Sequence, residues 1–310
     1  MRPWRHFYIF LSLSVILVWI AALQLPDRNL HVVSCDVGQG DAILIYNADS
    51  QIVVDGGPNS GVIGCLERHL PFWDRTIELV VLTHPQADHY TGLIDVFERY
   101  RVNIFLASEA DSSSEGYRVL KEVVGSKGIS VVNPRVGMEL RLGLMSLDIL
   151  SPNSPLCSET RSSLLRGPRQ GGSASRSAAG LQSRGTLGVC DWSGDLNDLS
   201  VVFRLSYGEF DGLFTGDLSP RVGIDLVNSG NVRDIEYLKV PHHGSKNGLT
   251  KGLLDASRPE VAVVSSGRNN RYGHPHKEVL EMLSGIKVLR TDLQGDVEVI
   301  SDGKVLWMVE

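Results

Sequence analysis

The sequence has few cysteines, no excess of positive charge and no serine-nucleophile motif, and each absence excludes a class of protein. Among 310 residues there are only four cysteines, and no two form the CxxC pair of a cysteine zinc site. The formal net charge of −6 excludes a globally basic nucleic-acid binder. A polyanion would therefore have to meet a local basic segment or a bound metal. No GxSxG turn is present, so covalent catalysis by serine is not expected.

The four cysteines are too few for a disulfide framework in a chain of this length. Cys35 and Cys65 lie in apolar surroundings, for which the sequence predicts free thiols. Cys157 and Cys190 flank one irregular segment and could pair with each other outside the cytoplasm.

One long apolar run lies at the N-terminus, where residues 7–25 carry no charge and follow Arg2 and Arg5. This length predicts a transmembrane helix within a signal anchor over residues 1–28. The preceding basic residues predict a membrane-anchored protein whose main domain lies on the extracytoplasmic side. A cleaved signal peptide is the alternative, but no clear small-x-small cleavage site precedes Pro26.

Residues 29–310 have the pattern of one α+β domain. Short apolar runs alternate with Gly, Pro, Asn and Asp, and strands alternate with helices in two halves of similar plan. This organisation predicts two βα layers packed face to face. Residues 152–196, rich in Ser, Gly and Arg, interrupt it and predict a flexible insertion. The insertion is either a solvated loop or a basic arm that contacts a phosphate backbone.

The strongest chemical signal is the segment THPQADH, which follows a predicted buried strand. It places His84, Asp88 and His89 in one short loop. Imidazole and carboxylate are the natural ligands of zinc and manganese, so this loop predicts a metal centre.

Three later clusters also follow predicted strands and carry groups suited to the same centre. FTGD places Asp217 at a strand end, where a carboxylate can bridge two metals. VPHHGS offers His242 and His243, of which one would bind metal and the other would handle protons or substrate. NNRYGHP holds His274 in a constrained loop. All these clusters lie at carboxyl ends of strands, which favours a single site.

These residues resemble the metallo-β-lactamase superfamily, and in particular the C-terminal hydrolase domain of ComEC-type competence proteins. The matching segments occur in the family's order, and they are DVGQGDAILI, VDGG, LTHPQADHYTG, NDLSVVFRL, FTGD, LKVPHHGSKNG, NNRYGHP and TDLQGDVEV. The resemblance covers almost everything after His31. It implies a four-layered αβ/βα sandwich with the metal centre at one edge of the two sheets.

The resemblance also implies roles for individual residues. The implied metal ligands are His84, Asp88, His89, Asp217 and His242, and the implied catalytic residues are Asp88, His243 and His274. Asp55 is expected to orient the metal loop without binding the metal. Gln86 stands where the wider superfamily has a second histidine. ComEC-like members also lack that histidine. We therefore expect one tight site for Zn²⁺ or Mn²⁺ and a second, weaker one.

The function implied by the resemblance is a phosphodiesterase or nuclease that acts on single-stranded DNA during competence-type uptake. Only one apolar segment precedes the domain, so this chain is not itself a channel, and a separate DNA-channel protein is an expected partner. The alternatives are a lactonase or other ester hydrolase of the same fold, and a non-catalytic DNA-binding module.

Overall fold

The computed structural model describes residues 3–23, 27–48, 50–152, 185–190 and 192–309. Residues 153–184, most of the predicted insertion, lie outside the described residues. The described helices are α1 (Pro3–Leu23), α2 (Gly61–His69), α3 (Ala87–Arg99), α4 (Glu115–Lys127), α5 (Pro220–Asn228), α6 (Lys251–Ser257), α7 (Lys277–Met282) and α8 (Thr291–Gln294). The described strands are β1 (Leu30–Ser34), β2 (Ile43–Asn47), β3 (Ser50–Val54), β4 (Thr76–Leu82), β5 (Arg101–Ala107), β6 (Ser130–Val132), β7 (Glu139–Leu142), β8 (Met145–Ser151), β9 (Val202–Tyr207), β10 (Phe210–Phe214), β11 (Tyr237–Lys239), β12 (Val261–Val264), β13 (Lys287–Arg290), β14 (Val297–Ser301) and β15 (Leu306–Val309).

The strands form two mixed sheets that pack face to face. The first sheet has the order β15-β14-β1-β2-β3-β4-β5-β6, and the second has the order β13-β12-β11-β10-β9-β8-β7. Val32 and Ile45 of the first sheet share one buried core with Phe203 and Phe214 of the second. The predicted α+β sandwich is confirmed, and β14 and β15 pair antiparallel as a C-terminal hairpin.

Helices cover the outer face of each sheet. On the first sheet, Leu93 of α3 and Leu120 of α4 pack with outward-facing strand residues such as Val53. On the second, Leu226 of α5 and Leu253 of α6 belong to a corresponding core. Because both faces of the central strands are buried, these strands consist of nearly continuous apolar residues. The result is the four-layered arrangement that the resemblance implies.

The sheet topology brings the chemical clusters to one edge. In the first sheet β3 and β4 are parallel, and in the second β10 and β11 are parallel, so each pair ends on one side. A backbone hydrogen bond from His242 N to the Gly216 carbonyl at 3.2 Å joins the loops after β11 and β10. Another, from Val201 N just before β9 to the Thr83 carbonyl at 2.9 Å, ties the loop after β4 to the second sheet. Parallel strands commonly place binding sites beyond their carboxyl ends.

Two expectations from the sequence have different outcomes in the structure. Among the described residues there is no helix with the length and apolar character needed to cross a membrane, so the predicted transmembrane helix is not confirmed. The prediction of free thiols at Cys35 and Cys65 is wrong, because these residues form a disulfide with their Cα atoms 5.8 Å apart. The end of β1 lies against α2, which places the two sulfurs within bonding reach. Cys190 is also disulfide-bonded, whereas its predicted partner Cys157 lies outside the described residues.

Candidate metal centre

The loop after β4 is held by a buried carboxylate at the end of β3. Asp55 Oδ1 accepts a hydrogen bond from Thr83 N at 2.8 Å, and Asp55 Oδ2 lies 2.8 Å from His89 Nδ1. An ionised carboxylate only accepts hydrogen bonds, so the His89 ring donates through Nδ1. Its Nε2 atom therefore faces the site, as a metal ligand requires. Asp55 orients the loop in the way that the resemblance implies.

Gly40 lets the DVGQGD turn, which joins β1 to β2, pack closely against the loop from His84 to His89. Gly40 has a φ of +151°, and a Cβ there would lie 2.2 Å from the carbonyl oxygen of Asp88. Asp41 N donates to the same carbonyl at 3.3 Å. Only glycine allows this approach.

His243 is oriented by the second sheet in the same manner. Its Nδ1 lies 2.9 Å from the carbonyl oxygen of Ser265, directly after β12. A carbonyl can only accept, so Nδ1 carries the proton and Nε2 is free to bind a metal. That Nε2 lies 3.3 Å from Asp217 Oδ2 and 3.7 Å from Asp88 Oδ2. The φ angles of His242 and His243 are 52° and 55°. Each such left-handed non-glycine residue costs about 1–3 kcal/mol, and strain of this kind clusters at functional sites.

Four residues bring possible ligand atoms to one point. The donor atoms of Asp88, His89, Asp217 and His243 all lie within 4.8 Å of one another. We call this group the four-donor position. Three of its side chains are buried, and Asp88 is the one that faces solvent, with 33% of its side chain exposed. The set combines two imidazoles with two carboxylates, which suits zinc or manganese.

Unpartnered buried atoms test whether a metal fits this position. His89 Nε2, His243 Nε2 and Asp217 Oδ1 are buried and have no hydrogen-bond partner. Buried polar atoms are nearly always paired, so several orphaned donor atoms around one point are the pattern expected of a metal site. The residues present therefore fit a divalent cation.

A second group of donors lies beside the first. The His84 ring is 4.2 Å from the His89 ring between centroids, and its Nε2 is also buried without a partner. The Gln86 side chain contacts the His84 ring, and the Asp217 carboxylate lies near enough to act on the pKa of that ring. Gln86 Nε2 donates to Asn197 Oδ1 at 3.4 Å, which adds a second amide. We call His84, Gln86, Asn197 and Asp217 the amide position. Neutral amide oxygens bind zinc less well than imidazole does and suit harder cations.

His242 and His274 lie at the edge of the site rather than within the group of four. His242 Nε2 is 3.8 Å from Asp217 Oδ2, and 23% of the side chain is exposed. The His274 ring centroid lies 5.9 Å from that of His242 and 6.3 Å from that of His243. Its Nδ1 is 3.4 Å from Gln39 Nε2 of the DVGQGD turn. The structure thus brings every sequence-predicted site residue to one region.

The sequence analysis did not predict the buried ion pair between Lys239 and Asp41 beside the site. Lys239 is 1% exposed, and its Nζ lies 2.7 Å from Asp41 Oδ2. Asp41 Oδ1 in turn lies 3.3 Å from His243 Nδ1. This buried ion pair therefore supports His243 from behind. The available signal was a single charged residue within the apolar run YLKV.

The charges of the site divide its histidines into two kinds. Burial lowers the pKa of His89 and His243, but the Asp217 carboxylate outweighs burial and raises the pKa of both well above the ordinary value. Burial raises the pKa of Asp217, and the His243 and His89 cations outweigh it and lower that pKa well below the ordinary value. At His84, burial and the nearby His89 cation both act downward and lower the pKa to about 3. These side chains therefore form an ionic cluster in which His84 is neutral.

Comparisons with known proteins agree with this geometry. Residues 35–146 match the model of the metallo-beta-lactamase superfamily. The chain is 24% identical to ComE operon protein 3 of Bacillus subtilis over 85% of this chain and 32% of that protein. It is 40% identical to competence protein ComA of Neisseria gonorrhoeae over 34% of this chain and 16% of that protein. The chain thus spans about a third or less of the length of these relatives.

A solved structure supports the fold alone. The metallo-beta-lactamase fold protein YhfI of Bacillus subtilis aligns with 91% of this chain and 100% of its own, at a TM-score of 0.52 and 12% identity. The two-sheet architecture, the matched segment and the donor set agree. Residues 35–146 therefore match a metallo-β-lactamase superfamily domain, the described domain has the metallo-beta-lactamase fold, and its homologues include a competence protein.

Proposed function

We propose that the protein is a metal-dependent nuclease that hydrolyses phosphodiester bonds of single-stranded DNA in competence-type uptake. The observation that carries the proposal is the set of orphaned donor atoms on His89, His243 and Asp217. The competence protein among the homologues supports DNA as the substrate.

The four-donor position would hold the tighter ion, Zn²⁺ or Mn²⁺, and the amide position would hold a weaker one. This assignment makes His243 a ligand and moves His242 to the edge, which exchanges the roles that the sequence predicts for them. A bound divalent ion supplies Lewis-acid activation of water and neutralises charge on the phosphate. The polypeptide supplies fixed ligand orientations through Asp55 and the Ser265 carbonyl.

His274 is our candidate for proton transfer. It is half-buried beside the ligands, and burial, together with the His243 cation, lowers its pKa to about 4. It is therefore neutral at physiological pH and able to accept a proton. Asp88, the exposed ligand, marks the side from which a substrate would approach.

We further propose that the domain works outside the cytoplasm. The Cys35–Cys65 disulfide supports this location, because such bonds persist in oxidising compartments. Attachment to a membrane through the N-terminal segment and cooperation with a separate DNA-channel protein stay predictions. Fractionation of cells that produce the full chain tests the first, and cross-linking in those cells tests the second.

The function is tested by metal analysis and a nuclease assay on the purified full-length protein. We expect cleavage of single-stranded DNA that depends on Mn²⁺ or Zn²⁺ and is absent from the variant His84→Ala/Asp88→Ala. The matched control is Lys251→Ala/Asp255→Ala, which removes an exposed ion pair on α6. Undiminished cleavage by the first variant would reject the site. Hydrolysis of lactones without any cleavage of DNA would favour the ester-hydrolase alternative.

A further inference from the structure

Three planar side chains extend from the metal centre to the protein surface. The Tyr272 ring stacks on the His274 ring, with centroids 5.6 Å apart and planes inclined by 22°. The Arg271 guanidinium lies 5.0 Å from the Tyr272 centroid, and its Nη2 donates to the Tyr272 hydroxyl at 2.9 Å. His274 in turn faces His243 at 28°. We call Arg271, Tyr272 and His274 the aromatic shelf.

The loop that carries the shelf is fixed by its own hydrogen bonds. The Asn270 side chain donates to the His274 carbonyl at 2.7 Å and accepts from His274 N at 3.0 Å and from Tyr272 N at 3.2 Å. Gly267 packs against the backbone of Gln39, since a Cβ there would lie 2.7 Å from Gln39 N. The shelf is therefore held in register with the metal centre before any substrate arrives.

Tyr272 does not fill a place in the hydrophobic core. About half of this residue is exposed (49%), and its hydroxyl is hydrogen-bonded to the exposed Arg271 rather than to the core. Arg271 is the cation in contact with this ring, and Arg268 and Lys246 are exposed on the same loop and on the neighbouring one. Lys246 N donates to His276, whose ring lies 4.9 Å from the His274 ring. An exposed aromatic ring among cations is the arrangement that binds single-stranded nucleic acid.

We propose that the aromatic shelf is a base-binding subsite, on which a base of single-stranded DNA stacks while the adjoining phosphate reaches the metal centre. This inference rests on the proposed nuclease function and adds the contact that selects the substrate. Stacking on tyrosine and arginine tolerates any base, so the subsite confers no sequence preference. It does confer a preference for single strands, because the bases of a duplex are already stacked on one another.

The test compares two substrates and two variants of the full-length protein. For a single-stranded oligonucleotide, Tyr272→Ala should lower kcat/KM by about 5- to 100-fold, the range for loss of one stacked base. Tyr272→Phe should retain the wild-type value, because the ring remains. An abasic oligonucleotide of the same length should be cleaved equally by wild type and Tyr272→Ala. The control Lys277→Ala, at an exposed position on α7, should behave as wild type.

A second readout separates this inference from the proposed function. Without metal, the Kd for the oligonucleotide should rise by a similar factor in Tyr272→Ala and stay unchanged for the abasic strand. A wild-type protein that binds DNA through Tyr272 but cleaves no phosphodiester would refute the nuclease and retain the subsite. Equal kcat/KM and equal Kd for wild type and Tyr272→Ala, or an equal loss on the abasic strand, would overturn the subsite.

Discussion

The two halves of the metal centre differ in how their donors are supported. In the four-donor position, His89 and His243 each donate Nδ1–H to a fixed acceptor, Asp55 or the Ser265 carbonyl. In the amide position, Gln86 and Asn197 hydrogen-bond to each other and offer only neutral oxygens. Ligand strength therefore depends on the groups that hold the ligands as well as on the ligands themselves. Four experiments test this difference between the two positions.

The largest effect should come from Asp217→Asn, because Asp217 faces both positions. Loss of this buried carboxylate removes the negative charge that balances His89 and His243. We expect nuclease activity to fall by about 1000-fold or more, since metal ions supply several kcal/mol of transition-state stabilisation. Metal content should fall in parallel. The exposed variant Asp255→Asn is the control, and full metal content in Asp217→Asn would contradict the shared role.

A smaller effect should follow Asp55→Asn, because Asp55 contacts His89 directly and reaches His84 only through the Thr83 hydroxyl. The neutral amide of the new Asn side chain stabilises the Nδ1–H of His89 less well than the Asp55 carboxylate does. We expect about 10- to 100-fold weaker metal binding in the four-donor position, the usual result of losing such a partner. Binding at the amide position should weaken less, because His84 contacts Asp55 only through Thr83. A competition titration with a metal indicator measures both, and equal weakening at the two positions would refute the comparison.

The two positions should also differ in their response to pH. Because the pKa values of His89 and His243 are raised in the metal-free site, each ring carries a proton at neutral pH that an incoming ion must displace. Affinity at the four-donor position should therefore fall as the pH falls from about 8 to 6, by about ten-fold per unit for each proton released.

The amide position provides the internal control for this pH dependence. The pKa of His84 is lowered to about 3, so its ring is already neutral and releases nothing. Calorimetry in buffers of different ionisation enthalpy counts the released protons. Proton release on metal binding at both positions, or at neither, would contradict the expected difference in pH dependence between the four-donor position and the amide position.

The smallest effect should come from Gln86→His, which adds an imidazole to the amide position. We expect the number of tightly held zinc ions to rise from one to two, with a change of only a few-fold in activity, about 1 kcal/mol. Gln86→Asn keeps an amide and should leave the number unchanged. Two tightly held zinc ions in the unaltered protein would show that the amides do not weaken the position.

Much of this architecture could be predicted without coordinates. Continuous apolar strands predict a sheet covered on both faces, and the loop from His84 to His89 carries its ligands within six residues. The choice between His242 and His243 could not be predicted in this way, because adjacent histidines have the same local sequence. Their left-handed backbone and the Ser265 carbonyl, which belongs to another strand, decide which ring turns inward.

Local pattern and single residue types were enough to predict the fold class, the candidate metal loop and Gln86 at the place where the resemblance implies a histidine. The Cys35–Cys65 bond, the burial of Lys239 against Asp41 and the stacking of Tyr272 on His274 are visible only in the folded structure. Each of these pairs either joins distant segments or depends on how a loop is folded. Their energies come from atoms that approach one another only when the chain folds, and no local sequence pattern predicts that approach.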